Sequence, residues 1–374
     1  MIKTASLTLL ALFASVALTL AGVGAPVAVL HLAFAVGIVP LIFAAMLHFV
    51  PVLTRTGSPG RLIASLPSLA QGGGVLVVAA MQGLLPYGLL HLAALLDLVL
   101  AAVLLGWIGR RARATLGAPH PGWRWYAAAV ACLIFALTAI LAMAAWPSQW
   151  TAWRLLHVHL NTLGLVGLAA LGTLPVLLPT AMGQADPDAG GWLRRRLGLA
   201  ASGALLVAAG AALHWAAAAV GAGLLLVTTL GLIGQWGHCF TFRRIAADGV
   251  GASLLAAAGG LVLTLAAGIA HGAGLTVAPP TLLAWLVGFL LPLVSGALSQ
   301  LLPVWRWPGP QLPARLEMRR RLATGGNWRA IFFLLAAAHA LAGFAVAAAA
   351  FAAGGLIFFA VALVQAVRVR GPTR

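Results

Sequence analysis

Histidine is the residue type in this chain whose chemistry is most informative. The 374 residues include ten histidines but only five acidic residues. A neutral imidazole is the commonest protein ligand for haem iron, copper and zinc, and it is costly inside a bilayer unless it has a partner. The set therefore predicts at least one metal or haem site. The alternative for any single histidine is a hydrogen bond to a neighbouring carbonyl or to interfacial water.

Most of the histidines fall in the outer half or the middle of the apolar runs described below. His157 and His159 lie two residues apart, so on a helix their side chains point about 200° apart and cannot both face one metal unless the helix begins there. We expect one of them to face a pore and the other a neighbouring helix or a second site, with Asn161 and Thr162 as nearby hydrogen-bond donors. The histidines in the outer half or the middle of the runs are seven: His31, His91, His157, His159, His214, His271 and His339. His339 lies about ten residues along its run.

Asp97 is the one acidic residue well inside an apolar run. An ionised carboxylate is costly there, so we expect it to be protonated, paired or beside water. It is a candidate proton relay, and a structural hydrogen bond is the alternative.

The composition defines the elements that must hold these side chains. Hydrophobic residues make up 63% of the chain and charged residues 7%, and the mean hydropathy is +1.06. These values exclude a soluble globular domain, a disordered chain and, with two cysteines, a disulfide scaffold. The absence of CxxC and CxxCH motifs argues against covalent c-type haem and a thiolate zinc site. The sequence therefore predicts an all-α polytopic membrane protein.

A membrane-spanning helix needs about 20 mainly apolar residues, and twelve runs of about that length follow one another. We interpret the chain as a single integral membrane domain of about 12 transmembrane helices. The predicted spans are 5–23, 26–50, 62–81, 86–108, 126–146, 153–179, 196–216, 218–241, 250–271, 281–304, 329–349 and 352–368.

The formal charge of +17 is explained by topology rather than by a nucleic-acid partner. With the N-terminus inside, 21 of the 22 basic residues, Arg329 among them, fall in cytoplasmic segments, and Arg154 alone falls outside. This predicts a multi-pass protein of a bacterial-type inner membrane with both termini cytoplasmic. The basic inner face should favour anionic lipids. The first run also has the features of a signal peptide, but we expect it to be retained because of the internal repeat.

The repeat relates the second, sixth and tenth runs. His31 begins the second run and His159 lies near the start of the sixth, and each is followed 20 residues later by a proline, Pro51 and Pro179. In the tenth run, Leu301-Leu302-Pro303 resembles Leu177-Leu178-Pro179. This pattern predicts three four-helix units, approximately 1–115, 116–245 and 246–374, in a pseudo-threefold arrangement.

Two segments carry a family resemblance. One is His157-Val-His-Leu-Asn-Thr-Leu-Gly-Leu-Val-Gly with Gly172-Thr-Leu-Pro-Val-Leu-Leu-Pro179, and the other runs from His31 to Pro51 and on through Thr54-Arg-Thr-Gly57. Together with twelve helices in three four-helix units, these segments resemble subunit I of the haem–copper oxidases, and most closely its NnrS-type haem- and copper-containing relatives, which are linked to nitric oxide tolerance.

The resemblance implies particular ligands and also shows departures. His31 matches a low-spin haem ligand, and His159 is the second candidate haem ligand. His157 or His159 with His214 matches the copper ligands, and His91 is a further candidate for a metal. The histidines of the tenth helix are missing, and we assign their role to His339. The sixth span lacks the expected tyrosine, so oxygen reduction by the usual oxidase mechanism is not expected.

The preferred hypothesis is therefore a membrane protein that binds b-type haem, copper or both, for electron transfer, gas binding or nitric oxide tolerance. Any enzymatic activity would be of the oxidoreductase kind, with a redox partner or quinol as its counterpart. One alternative is a proton-coupled or metal-ion transporter. Another is a non-catalytic assembly subunit whose histidines only satisfy hydrogen bonds.

Overall fold

The computed structural model describes residues 1–276, 278–309 and 313–371; Arg374, one of the residues used for the predicted topology, lies outside them. The structure is 85% helical and has no strands among the described residues. Eleven helical stretches of the described residues are long and apolar enough to cross a membrane. Three of these stretches each join two α-helices through a π-helical segment. The prediction of an all-α polytopic membrane protein is confirmed.

The helices follow one another through the whole described chain. The α-helices are α1 Ile2–Ala21, α2 Pro26–His31, α3 Val39–Leu53, α4 Arg61–Met81, α5 Leu89–Arg113, α6 Gly122–Ala145, α7 Trp150–His159, α8 Leu168–Ala181, α9 Ala189–Leu213, α10 Trp215–Cys239, α11 Phe242–Ala247, α12 Gly249–Gly272, α13 Ala278–Trp285, α14 Leu291–Arg306, α15 Pro313–Ala323, α16 Gly326–Leu341 and α17 Ala345–Val367. Three π-helical segments interrupt them: π1 Leu32–Ile38, π2 Leu160–Gly167 and π3 Leu286–Leu290.

The eleventh predicted span is shorter than expected. The run 329–349 was predicted as one helix, but α16 has 16 residues and ends at Leu341. At 1.5 Å per residue it is about 24 Å long, less than the roughly 30 Å of a bilayer core. The helix ends here because Gly343 adopts a φ of 85°, in the left-handed region that terminates helices. Residues 345–349 belong to α17 instead.

The three π-helical segments lie in the second, sixth and tenth spans, one in each predicted four-helix unit. Each begins at a leucine that directly follows an aromatic or imidazole residue: His31, His159 and Trp285. Leu32 and Leu160 are 128 residues apart, the same offset as the sequence repeat, and Leu160 and Leu286 are 126 apart. The agreement is in keeping with three units, and the threefold arrangement stays a prediction.

Neighbouring helices hold π1 closely. A π-helix bonds i to i+5 and carries an extra residue per turn, which leaves carbonyls available to other donors. Thr8 of α1 donates to the carbonyl of Gly37 at 2.8 Å, and the Gln71 amide of α4 donates to that of Val36 at 3.3 Å. Gly74 packs so tightly against this segment that a Cβ there would lie 2.3 Å from the carbonyl oxygen of Ala35. Two polar side chains and one glycine thus fix the turn that follows His31.

The described chain forms two compact units. Apart from its first two residues, the first unit contains Lys3–Thr173 and Asp188–Leu225, and the second contains Leu174–Pro187 and the chain from Leu226 onward. Five of the seven histidines predicted in the outer half or the middle of the spans belong to the first unit, and so does Asp97. His271 and His339 belong to the second.

Candidate functional site

The first member of the site is His31, the last residue of α2. Pro26 starts this short helix, since its fixed φ suits the first turn and its missing N–H is not needed there. The His31 Nδ1 lies 2.8 Å from the carbonyl oxygen of Val27, one turn earlier. A carbonyl can only accept, so Nδ1 carries the proton and Nε2 keeps its lone pair. His31 is therefore held as the neutral tautomer that can bind a metal through Nε2.

The second member is His157 on α7. Its Nδ1 donates to the carbonyl oxygen of Ala136 on α6 at 3.0 Å, which again leaves the lone pair on Nε2. Asn161 lies one turn further along, and its amide donates to the His157 carbonyl at 2.8 Å. This is a hydrogen bond within the helix, and the expected role of Asn161 beside a metal ligand stays a prediction. Thr162 bonds instead to the carbonyl of Val158, at 2.8 Å.

The rings of His31 and His157 lie beside each other. Their centres are 6.4 Å apart, and their planes differ by 15°. Both rings are partly buried in the first unit. The second and sixth spans thus contribute one imidazole each to a pair of neighbouring rings.

The separation can be compared with that of two imidazoles on one metal ion. A metal–nitrogen bond is about 2.0–2.1 Å, and a ring nitrogen lies about 1.2 Å from the ring centre. Two imidazoles on opposite sides of one ion therefore have centres about 6.4–6.6 Å apart. The His31–His157 separation falls at this value, and both rings have the tautomer that ligation requires. The separation of the ring centres is thus the one that a single metal ion or haem iron between two imidazoles would give, and the two ring planes are stacked.

The other two predicted haem ligands have different surroundings. His159 is the last residue before π2, and its Nδ1 donates to the carbonyl of Leu155 at 2.8 Å. His339 donates in the same way to Leu335 at 2.8 Å, and its ring lies 4.8 Å from that of Phe351. Because α16 ends at Leu341, His339 lies near the end of its helix, not in the middle of a span as expected.

His214 and His91 complete the predicted metal ligands. His214 is the single residue between α9 and α10; it is extended, exposed, and stacked on Trp215 with ring centres 6.5 Å apart. His91 lies in the first turn of α5. Within the described residues, no three histidine, cysteine or acidic side chains come together as a metal-binding group. The set of His157, His214 and His91 is therefore not assembled as a group of three.

Asp97 is buried on α5 and keeps 8% of its surface exposed. Its Oδ1 is enclosed and has no hydrogen-bond partner. The structural hydrogen bond considered as an alternative to proton relay is not seen at this oxygen.

Arg329 was interpreted only as a cytoplasmic topology marker, but the structure buries it completely in the second unit. Its guanidinium donates to Ser253 Oγ at 2.9 and 3.1 Å and to the Gly249 carbonyl at 3.3 Å, and it lies 5.1 Å from the centre of the Phe359 ring. Serine and carbonyl acceptors thus take the place of a carboxylate. Ser299 Oγ on the tenth span lies 3.5 Å from the same guanidinium.

Trp153, His157 and Asn161 follow one another at intervals of four, so they share one face of the sixth span. The Trp153 Nε1 on this face is enclosed and has no hydrogen-bond partner.

His120 lies in the loop between α5 and α6, outside the spans. Its burial, and then the nearby Arg194 guanidinium, lower the pKa of this imidazole below its usual value. It is therefore neutral at pH 7. Its backbone N–H donates to the Leu53 carbonyl at 2.9 Å, and its Nδ1 accepts from the Gly122 N–H at 3.3 Å. The ring helps to form the loop and takes no part in the His31–His157 pair.

Comparison with known proteins gives no family to which the chain can be assigned. No family model, no curated protein and no solved structure matches it.

Proposed function

We propose that this membrane protein binds a b-type haem or a copper ion through His31 and His157. The observation that supports the proposal is the ring pair, two near-parallel imidazoles 6.4 Å apart, each with its Nδ1 bonded to a carbonyl. Histidine ligands typically donate their second nitrogen to a carbonyl or carboxylate, which fixes the ring and raises its basicity. The sequence analysis assigned His159 as the second haem ligand beside His31 and His157 as a copper ligand. In this proposal His157 takes the place of His159 as the partner of His31.

The protein's own residues have defined tasks in this proposal. Val27 and Ala136 hold the two tautomers, and Asn161 ties the His157 backbone at the start of π2. The bound group would supply one-electron chemistry or a site for a small gas. We assign the protein to electron transfer, gas binding or nitric oxide tolerance, with a redox partner or quinol, in a bacterial-type inner membrane that contains anionic lipids.

The test is the visible spectrum and metal content of the protein purified from membranes of cells supplied with haem and copper. We expect a haem absorption band or bound copper in the wild type and at least a tenfold loss in His31→Ala and in His157→Ala. His271→Ala is the matched control, because His271 also donates its Nδ1 to a carbonyl, that of Thr276 at 3.1 Å. Wild-type protein without haem, iron or copper would refute the proposal.

The same preparations separate the two alternatives. Proton or metal-ion flux into vesicles that is lost in Asp97→Asn, in a protein without a chromophore, would favour the transporter. Loss of stability alone in His31→Ala and His157→Ala, with neither flux nor bound metal, would favour the assembly subunit.

A further inference from the structure

The carboxyl group of Asp97 is the best-placed polar group that the metal proposal leaves unused. Asp97 lies eight residues from the start of α5, about 12 Å along the helix. It belongs to a face of α5 whose other members within one turn, Ala93, Ala94, Leu100 and Ala101, are all buried and apolar. Its Oδ1 is enclosed without a partner, while the side chain as a whole keeps 8% exposure.

Gly73 of α4 makes room for this carboxyl. A Cβ at Gly73 would lie 2.8 Å from Asp97 Oδ1 and 3.2 Å from Cγ and from Oδ2. The carboxyl therefore lies directly against the backbone of α4, in space that any side chain at position 73 would fill. Gly72, the preceding residue, has nothing within 4 Å of the corresponding position.

No charged group among the described residues compensates Asp97. Helices α3, α4 and α6 pack against α5. Their titratable side chains are His48 on α3, Arg61 on α4, and Arg124, Tyr126 and Cys132 on α6. None of these makes a hydrogen bond or ion pair with Asp97. Arg61 is twelve residues from Gly73, about 18 Å along α4. On α5 itself the titratable residues are His91, six residues away, and Arg110, Arg111 and Arg113 in the last turn.

We propose that Asp97 is a membrane-embedded proton-binding site that exchanges its proton with bulk water, and that Gly73 is the residue that admits the carboxyl. An ionised carboxylate without a partner is strongly disfavoured in such surroundings, so the resting form carries the proton. This site does not depend on a metal or haem at His31 and His157.

The test is labelling with dicyclohexylcarbodiimide. A protonated carboxyl group in an apolar environment adds across one C=N bond of this reagent, and the resulting O-acylisourea rearranges to a stable N-acylurea. The full-length purified protein in detergent would be labelled between pH 6 and pH 9 and the adducts located by peptide mass spectrometry. We expect Asp97 to be the main labelled residue of the five acids, with a yield at least tenfold lower at the alkaline end. Equal labelling of Asp97 and the other four acids, no labelling of Asp97, or a yield independent of pH would overturn the proposal.

Two glycine variants test the assigned role of Gly73. Gly73→Ala places a methyl group against Oδ1 and is expected to change the Asp97 yield at neutral pH by at least threefold. Gly72→Ala is the matched control and is expected to leave it unchanged. If Gly73→Ala does not fold, the infrared C=O band of the protonated carboxyl provides a second test. We expect the wild-type band to be absent in Asp97→Asn and to disappear at alkaline pH; a wild-type band that persists at all pH values would contradict exchange.

Discussion

The Gly74→Ala substitution tests whether the contact between α4 and π1 is as tight as the structure shows. The added Cβ would lie 2.3 Å from the Ala35 carbonyl oxygen, 2.4 Å from the Ala35 carbonyl carbon and 2.7 Å from the Val36 nitrogen. All three are backbone atoms of π1, so no side-chain rotation relieves the overlap. The turn that follows His31 must move, or α4 must move away from it.

The magnitude can be worked out by comparison with Gly72→Ala. Both substitutions gain about 1 kcal/mol of helix propensity, because alanine loses less backbone entropy than glycine. Gly72 is exposed and has free space around it, so its variant shows the propensity term alone. Overpacking of a tight contact costs about 1–3 kcal/mol. Gly74→Ala should therefore be about 1–3 kcal/mol less stable than Gly72→Ala.

The assay is reversible denaturant unfolding of both variants in the same detergent, followed by tryptophan fluorescence, together with their haem and metal content. We expect the bound group to decrease in Gly74→Ala, because π1 begins at the residue after His31. Equal stability and equal metal content in the two variants would refute the packing of π1 against α4.

Two further predictions concern groups away from the histidine pair. Arg329→Lys should destabilise the protein by about 1–3 kcal/mol, because a compact ammonium cannot replace the forked guanidinium that donates to both Ser253 and Gly249 in a fully buried place. The exposed Arg320→Lys is the control, and equal unfolding midpoints would contradict the buried contact. Because the pKa of His120 is lowered in the folded state, the unfolded state takes up a proton first and stability should fall as pH decreases below about 6.5. Arg194→Gln removes one cause of that shift, so its stability should fall less between pH 7 and pH 5; an unchanged slope would contradict the contribution of Arg194.

The sequence was sufficient to predict the helices, because a run of about 20 apolar residues between charged segments is typical of a membrane-spanning helix. The end of α16 was not predictable in this way, since Leu341 and Ala342 are as apolar as the residues before them, and the left-handed Gly343 defines the boundary. The junction between α9 and α10 at His214 was equally hard to place. A turn made of one extended residue leaves no polar segment in the sequence that would mark it.

The site residues stay a prediction. Histidines at similar depth indicated a ligand set, and the structure places the rings of two of them, His31 on the second span and His157 on the sixth, 6.4 Å apart. The choice between His157 and His159 was not available from the repeat, because the 128-residue offset matches His31 with His159 and does not show which of two side chains about 200° apart on one helix faces the neighbouring span. Arg329 was missed because a basic residue at a span end satisfies the topology rule whether it faces water or the protein interior.

The central claim, that His31 and His157 hold one metal centre, can be tested most directly by pulsed electron paramagnetic resonance. The oxidised protein would be prepared with ¹⁵N-labelled histidine. We predict two directly coordinated imidazole nitrogens in the wild type and one or none in His157→Ala, with His271→Ala like the wild type. A paramagnetic centre whose histidine couplings are identical in the wild type and His157→Ala would contradict the account.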